Sequence, residues 1–485
     1  MKAISRKYWL SMLVILGAGN IFPSIQAAEL PPAANHVPIV VYPQLATPNN
    51  GTDSSSALLG RARELSTLRV LVGLNLELVP SDQLSEAESI QQYARLAEAQ
   101  DALVERVFMA GEDRIVTRFE EIPYLIVEVS EAELRRLLAD PSVHSVQEDG
   151  LTAFLLRDSA RIIGAKNVWG PKFQLRGTGQ SIAILDTGSS HRRMLKKGRI
   201  VAGGCYSSNH AGYGSESVCP GGAEEKNNRA AGKNCPEYID GCDHGTHVAT
   251  IAAGNSPKLK GVAREANIVR MQVFSRFNSR THCGPSVPCM MSFTTDQIKA
   301  LERVYKLRKK HKIAAVNLSL GSGNYVGYCD GNHPAMTDII NRLTDAGVAV
   351  VVAGGNSVIP TYGFGYTSYP ACIKNAIAVG NSTKRDSVSL FSSYSDQIDL
   401  LAPGENIYAG LPGRRYGVMS GTSMAAPHVA GAIALLKSYR PEATVAELVT
   451  ALSCSGKPLS AAGITKPRID VRKAYRFMQK NKKSC

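Results

Sequence analysis

The chain reads as an α/β protein, a mostly parallel sheet with helices on both faces, preceded by a small α+β unit of ferredoxin-like order. Three observations predict this. Beyond about residue 160, continuous apolar runs alternate with amphipathic stretches, the pattern of strands buried on both faces. Residues 66–155 read β-α-β-β-α-β, the order of a split βαβ unit. The charge also changes sign between the two regions. Residues 28–150 carry 9 arginines, no lysine and 20 acidic residues, whereas residues 151–485 carry 43 basic and 21 acidic ones, in a chain of net charge +14.

The elements follow in order. Lys2, Arg6 and Lys7 precede a short apolar run, Tyr8–Gly19, and Ile25-Gln26-Ala27 offers a cleavage site. Residues 1–27 therefore read as a signal peptide, with an N-terminal anchor as the competing reading. No later stretch is long and apolar enough to span a bilayer, so the expectation is a secreted chain, extracellular or periplasmic, and monomeric. Residues 28–65, rich in Ala, Pro, Asn and Ser, read as a linker. Strand Arg69–Leu78, helix Ser85–Val107, strands Arg114–Ile122 and Tyr124–Ser130, helix Glu131–Asp140 and strand Val143–Asp149 make up the acidic unit, which has no cysteine and no cluster suited to chemistry. The larger domain, residues 156–485, follows. Its apolar strands are Gln180–Asp186, Asn267–Phe274, Ile313–Leu320, Gly347–Gly355 and Asn375–Gly380, and Thr295–His311 and Pro334–Gly347 are amphipathic helices between them.

All ten cysteines lie after residue 200. An even number in an exported chain points to disulfides, and no C-x-x-C suggests a structural metal site. The basic residues are scattered and match no nucleic-acid motif, so no nucleic-acid partner is expected. The nearest acidic partner is the chain's own front.

In doubly covered parallel sheets, ligands bind beyond the carboxyl ends of the strands. Asp186 ends the first strand in DTG, Asn317-Leu318-Ser319-Leu320-Gly321 ends another, and Asn356 follows VAVVVAGG. DHGTHVATIAAG (Asp243–Gly254) opens a helix at His244, and SGTSMAAPHVAG (Ser420–Gly431) sets Ser423 before an apolar helical run. A hydroxyl there reads either as a helix cap or as a nucleophile. A serine nucleophile needs a base within hydrogen-bond reach, and the base needs a third group to fix its tautomer. Asp186, His244 and Ser423 supply the three. GTSMA is not a G-x-S-x-G elbow, because Ala425 replaces the second glycine.

AILDTG around Asp186, HGTHVA around His244, VVAGGNS around Asn356 and SGTSMAAPHVAG around Ser423 together resemble the subtilisin-like serine proteases, the subtilase family, over roughly residues 160–478. The resemblance implies a secreted serine endopeptidase that hydrolyses peptide bonds through an acyl-enzyme. Ser423 would be the nucleophile, His244 the base, Asp186 its orienting partner and Asn356 an oxyanion donor. His247 is then a structural residue one helical turn on. Substrate would lie extended beside Ser319, Leu320 and Gly321 and beside Ala353, Gly354 and Gly355. The front half resembles the family's inhibitory propeptide, which implies an autoprocessed zymogen cut between about 150 and 160. Its partners are protein or peptide substrates and its own propeptide. No cofactor is implied, with calcium the one ion the resemblance leaves possible. The family's calcium loop is not matched, because Ile251–Ala263 is short and holds two lysines and no acid. Ser357–Cys372 is expected to help shape the main specificity pocket, and Asp330 either favours a basic side chain or is solvated. The alternatives are an inactive subtilase-like binding protein and an acyl-enzyme that transfers to an amine.

Overall fold

The computed structural model describes residues 55–108, 114–149, 151–154, 162–356, 365–482 and 484–485. The leader, most of the linker, residues 357–364 and most of the expected processing junction lie outside them.

The front unit contains α1 (Ser55–Leu65), β1 (Leu68–Leu74), α2 (Glu86–Val107), β2 (Ile115–Arg118), β3 (Tyr124–Val129), α3 (Glu131–Ala139), β4 (Val143–Glu148) and β5 (Leu151–Phe154). Its antiparallel sheet has the order β2-β3-β1-β4, the ferredoxin-like arrangement. Ser85 with Glu88, and Ser130 with Glu133, form capping boxes at the starts of α2 and α3. The segment read as linker is corrected at its end: residues 55–65 form α1, anchored by the buried Leu58 and Ala62. Alternation along β1 sends Leu68, Val70 and Val72 into the unit's own core and Leu71 to the opposite face.

The larger domain begins with α4 (Ala165–Val168), β6 (Ser181–Asp186), β7 (Ile200–Tyr206), β8 (Ser215–Glu216), β9 (Glu225–Lys226) and α5 (His244–Ala253). It continues with β10 (Asn267–Gln272), β11 (Ser275–Phe277), α6 (Arg280–Cys283), β12 (Cys289–Phe293), α7 (Thr294–His311), β13 (Ile313–Leu318), β14 (Leu320–Tyr325), α8 (Pro334–Asp345), β15 (Ala349–Ala353), β16 (Thr367–Tyr369) and β17 (Ile377–Ser382). Then come β18 (Leu400–Pro403), β19 (Ile407–Gly410), β20 (Tyr416–Met419), α9 (Thr422–Tyr439), α10 (Val445–Ser455), β21 (Lys457–Ala461), β22 (Ile464–Arg468) and α11 (Val471–Gln479).

The main sheet has the order β21-β22-β18-β17-β15-β13-β6-β10-β7-β9 and is parallel from β22 through to β7. Alternate residues of β6 feed two cores. Ile182 and Ile184 pack under α5 and α9 with Val248, Ile251, Met424 and Val429. Ala183 and Leu185 pack under α7 and α8 with Ile298, Leu301, Met336 and Ile339. This second core also takes Leu71, Phe119, Ile122, Tyr124 and Ile126 of the front unit. The outer face of the small sheet is thus buried against α7 and α8. β5 runs on from it into a second sheet, of order β16-β14-β5-β12-β11-β8.

Five disulfides pair all ten cysteines: Cys205–Cys219, Cys235–Cys242, Cys283–Cys289, Cys329–Cys372 and Cys454–Cys485.

Candidate active site

The end of β6 and the start of α5 are joined by short polar links. Asp186, fully buried at the last position of β6, accepts the Thr187 N–H at 2.7 Å and lies 2.8 Å from His244 Nδ1 through the same Oδ1. His244 is the first residue of α5. Thr187 Oγ1 accepts the Gly245 N–H at 3.0 Å, so the threonine of DTG satisfies one of the orphan donors at the helix start. Gly245 has to be glycine here. A Cβ on it would sit 2.3 Å from the Gly188 carbonyl oxygen and 2.9 Å from Asp186 Oδ1.

Ser423 is the second residue of α9 and is fully buried. It is not the cap. That position belongs to Gly421, and no side chain caps the helix. The Ser423 hydroxyl donates to the Ser319 carbonyl at 3.2 Å, while the Ser319 hydroxyl donates back to the Ser423 carbonyl at 2.7 Å. Asn317 Nδ2 donates to Ser319 Oγ at 2.9 Å and fixes that exchange. The Ser423 N–H, in the first turn of the helix, has no intrahelical acceptor. α5 and α9 pack side by side against β6 in one core.

Asn356 follows β15 and bridges to Ser392. Its Oδ1 accepts both the Thr422 N–H at 2.9 Å and the Thr422 hydroxyl at 3.0 Å. Those two donors settle the amide orientation, leaving the NH₂ group as donor on the other side. Thr422 Oγ1 in turn accepts the Gly355 N–H at 3.2 Å. Gly355 has φ +118°, and a Cβ there would lie 2.4 Å from Ser368 Oγ. Thr422 and Asn317 are thus the residues that sequence reasoning missed. Asn317 was visible only as part of a strand end, and Thr422 only as the neighbour of Ser423 in SGTSMAAPHVAG.

The segments expected to flank a substrate differ in what they have left to offer. Leu320 and Gly321 of β14 pair antiparallel with Phe154 and Ala153 of β5, and β12 holds β5 from the other side. By contrast, the N–H and C=O groups of Gly354 and Gly355 are engaged by Val379, Ser368, Thr422 and Ser393. Ala353, Gly354 and Gly355 can therefore line a pocket but not add a strand. His247 Nε2–H donates to Ile407 O (3.0 Å) and Gly417 O (3.3 Å), and burial lowers its pKa to about 3, so it ties α5 to β19 and β20 as a neutral ring. Asp330 accepts the Lys374 N–H at 3.1 Å.

The loop after α5 does not fit calcium. Asn255 and Lys260 bridge antiparallel, Ser256 N–H donates to Leu259 O at 2.9 Å, and Lys258 and Lys260 are exposed on it. A hard dication needs several oxygen ligands, normally including carboxylates, and this loop offers ammonium groups instead. Among the described residues, no group of three or more His, Cys, Asp or Glu side chains could hold a metal ion.

Residues 177–463 match the Subtilase family. An alkaline protease of Alkalihalobacillus alcalophilus is 30% identical over 393 residues, covering 80% of this chain and 85% of its own. Subtilisin Savinase of Lederbergia lenta is 34% identical over 271 residues, 55% of this chain and 79% of its own. The major intracellular serine protease of Bacillus subtilis (strain 168) is 31% identical over 289 residues, 59% and 76% respectively. With the buried Asp186–His244 pair beside the helix that carries Ser423, these matches place the chain in the subtilase family, as a subtilisin-like serine endopeptidase.

Proposed function

We propose that the chain is exported as an inhibited precursor and cleaves itself to give the active endopeptidase. The observation that carries this reading is the pairing of β5 with Leu320 and Gly321. An extended peptide bound by backbone hydrogen bonds at a sheet edge is how a protease with broad specificity holds its substrate. The chain's own front fills that slot and heads toward Ser319, whose carbonyl accepts the Ser423 hydroxyl.

In the proposed reaction the Ser423 hydroxyl turns from Ser319 to His244, which takes its proton as Oγ attacks the scissile carbonyl. Asp186 holds the Nδ1–H tautomer and stabilises the imidazolium. Asn356 Nδ2 and the Ser423 N–H receive the oxyanion, the second helped by the positive end of α9. His244 then returns the proton to the leaving amine, and water repeats the cycle on the acyl-enzyme. Five disulfides and a signal-like leader support export into an oxidising compartment. The paired strand ends at Phe154, so the expected cut lies just beyond it, at the Leu155-Leu156 bond.

The test is the mass of the purified wild type against that of Ser423→Ala. A split after residue 155 in the wild type alone makes Ser423 the nucleophile of its own processing. A split in both assigns the cut to another protease. An intact wild type that leaves peptides uncut would overturn the reading in favour of a binding protein.

A further inference from the structure

Where calcium is refused, positive charge is concentrated and shaped. Residues 187–200, 244–264 and 406–423 together hold ten lysines and arginines and no acidic residue. The fold brings these three segments together. The Arg192 N–H donates to Gly413 O at 2.9 Å and the Asn255 N–H to Met194 O at 3.0 Å. The Lys258 ammonium sits 4.9 Å from the Tyr416 ring centroid and 5.8 Å from that of Tyr408. Two adjoining hollows of about 420 and 300 Å³ open there and share Lys196, Ser256 and Pro257. Arg192, Arg193 and Lys258 wall the first, Lys260 and Arg264 the second. Among the described residues, none of these six cations forms an ion pair. The neighbouring carboxylates are already taken, Glu237 by Arg415 and Glu265 by Arg176.

We propose that this groove is an exosite for an acidic stretch of a polypeptide substrate, carried on the C-terminal side of the scissile bond. Cations lining two adjoining hollows repel each other, and an anionic chain that bridges both relieves that repulsion. The groove is connected to the chemistry. α5 runs ten residues, about 15 Å, from His244 to the edge of the groove, and β20 leads from Tyr416 into the Ser423 turn. β5 comes in between β14 and β12, and none of the groove segments pairs with it. The slot that β5 fills between β14 and β12 takes the chain before the cut bond, so the groove is assigned to the chain past it. Nucleic acid fits less well. Tyr408 and Tyr416 are stacked on each other (18°, 5.8 Å) and faced by Lys258, which leaves no open slot for a base.

The inference rests on the proposed catalytic reading, and cleavage of a neutral peptide tests that reading separately. The experiment uses one cleavable segment followed by a run of aspartates or by the same run of asparagines. The aspartate peptide is expected to show a KM about three- to tenfold lower, with kcat unchanged, as several screened surface pairs would give. The difference should vanish at about 0.5 M salt. It should also vanish in Arg192→Glu/Lys258→Glu, which keeps wild-type kcat/KM on the neutral peptide. Labelled versions of both peptides, titrated into processed enzyme whose Ser423 has been sulfonylated, read the same preference as binding without turnover. Equal binding of the two peptides, or a preference that survives in the charge-reversed variant, overturns the proposal. So does retention on a sulfated polysaccharide without any aspartate preference, which would assign the groove to that polymer.

Discussion

Asn356 is held by its acceptor so that its donor is free to act. With Oδ1 bound by two donors of Thr422, the amide cannot flip without losing both bonds. Asn356→Leu should therefore lower kcat by about 10²–10³ with KM nearly unchanged, because the lost bond forms only as the oxyanion develops. Thr422 acts through Asn356 and is a positioning residue. Thr422→Val keeps the backbone N–H bond and removes the hydroxyl, so kcat should fall by about tenfold, and Thr422→Ser should restore it. Steady-state kinetics on one short peptide checks both. The roles proposed for Asp186, His244, Asn356 and Ser423 could be read locally, because each lies in a short block whose chemistry calls for that residue type. That of Thr422 could not. Its hydroxyl partner lies 66 positions away, so locally it could only be read as a cap, a role the structure gives to Gly421.

Among the elements, α2 and α3 were readable to within a residue or two because both carry their own start signals, the serine–glutamate boxes. α1 carries none. It is set by burial of Leu58 and Ala62 against the rest of the unit, which a local reading of a serine-rich stretch cannot see. The meeting of the front unit with α7 was also hidden, because it joins residues far apart in the chain. Asp149 caps α7 by accepting the Thr295 N–H at 2.9 Å and pairs with the buried Arg69 at 2.9 Å. Asp296 accepts the Ser208 N–H and hydroxyl, and Glu302 accepts the Glu121 N–H at 3.1 Å. Burial pushes Asp296 up to about 7 and Glu302 up to about 7, against the pull of Arg69 and Lys299 on the first and Lys306 on the second. When the front unit leaves, water reaches both carboxyls and their pKa values return toward about 4. The bound state therefore holds protons that the free state has lost, and the complex weakens as pH rises from about 4 to about 7 and a little beyond. His210, beside Glu128 and kept neutral by burial, acts only at the acid end, where protonation of the free state opposes binding. From pH 6 to 8 the carboxyls decide, and inhibition by the cleaved front unit should weaken by about tenfold or more. Asp296→Asn/Glu302→Gln should flatten that profile. An inhibition constant that is flat or tightens over this range in the wild type would refute the assignment.

For the molecule as a whole, the question is what stabilises a large domain whose loop after α5 offers ammonium groups rather than carboxylates. The disulfides sit where loops leave the two packed cores. Cys235–Cys242 closes the turn before His244, and Cys329–Cys372 ties the region after β14 to the one after β16, on either side of the paired β14–β16 edge. Cys329–Cys372 spans a sequence separation of 43 and Cys454–Cys485 one of 31. In the chain-entropy picture each removes roughly 4 kcal/mol of unfolded-state freedom. Lys258 and Lys260 meanwhile occupy the loop after α5, so removing calcium takes nothing away there. Two outcomes follow for thermal unfolding of the Ser423→Ala protein, which cannot digest itself. Replacing Cys329 and Cys372 together by serine should lower Tm by about 6 °C, since 1 kcal/mol corresponds to about 1.5 °C in a domain of roughly 330 residues. Excess chelator should leave Tm unchanged with the disulfides intact. A chelator-induced drop that added calcium reverses would mean that a cation does hold this domain together, through backbone and amide oxygens outside that loop, and that the disulfides are not its substitute.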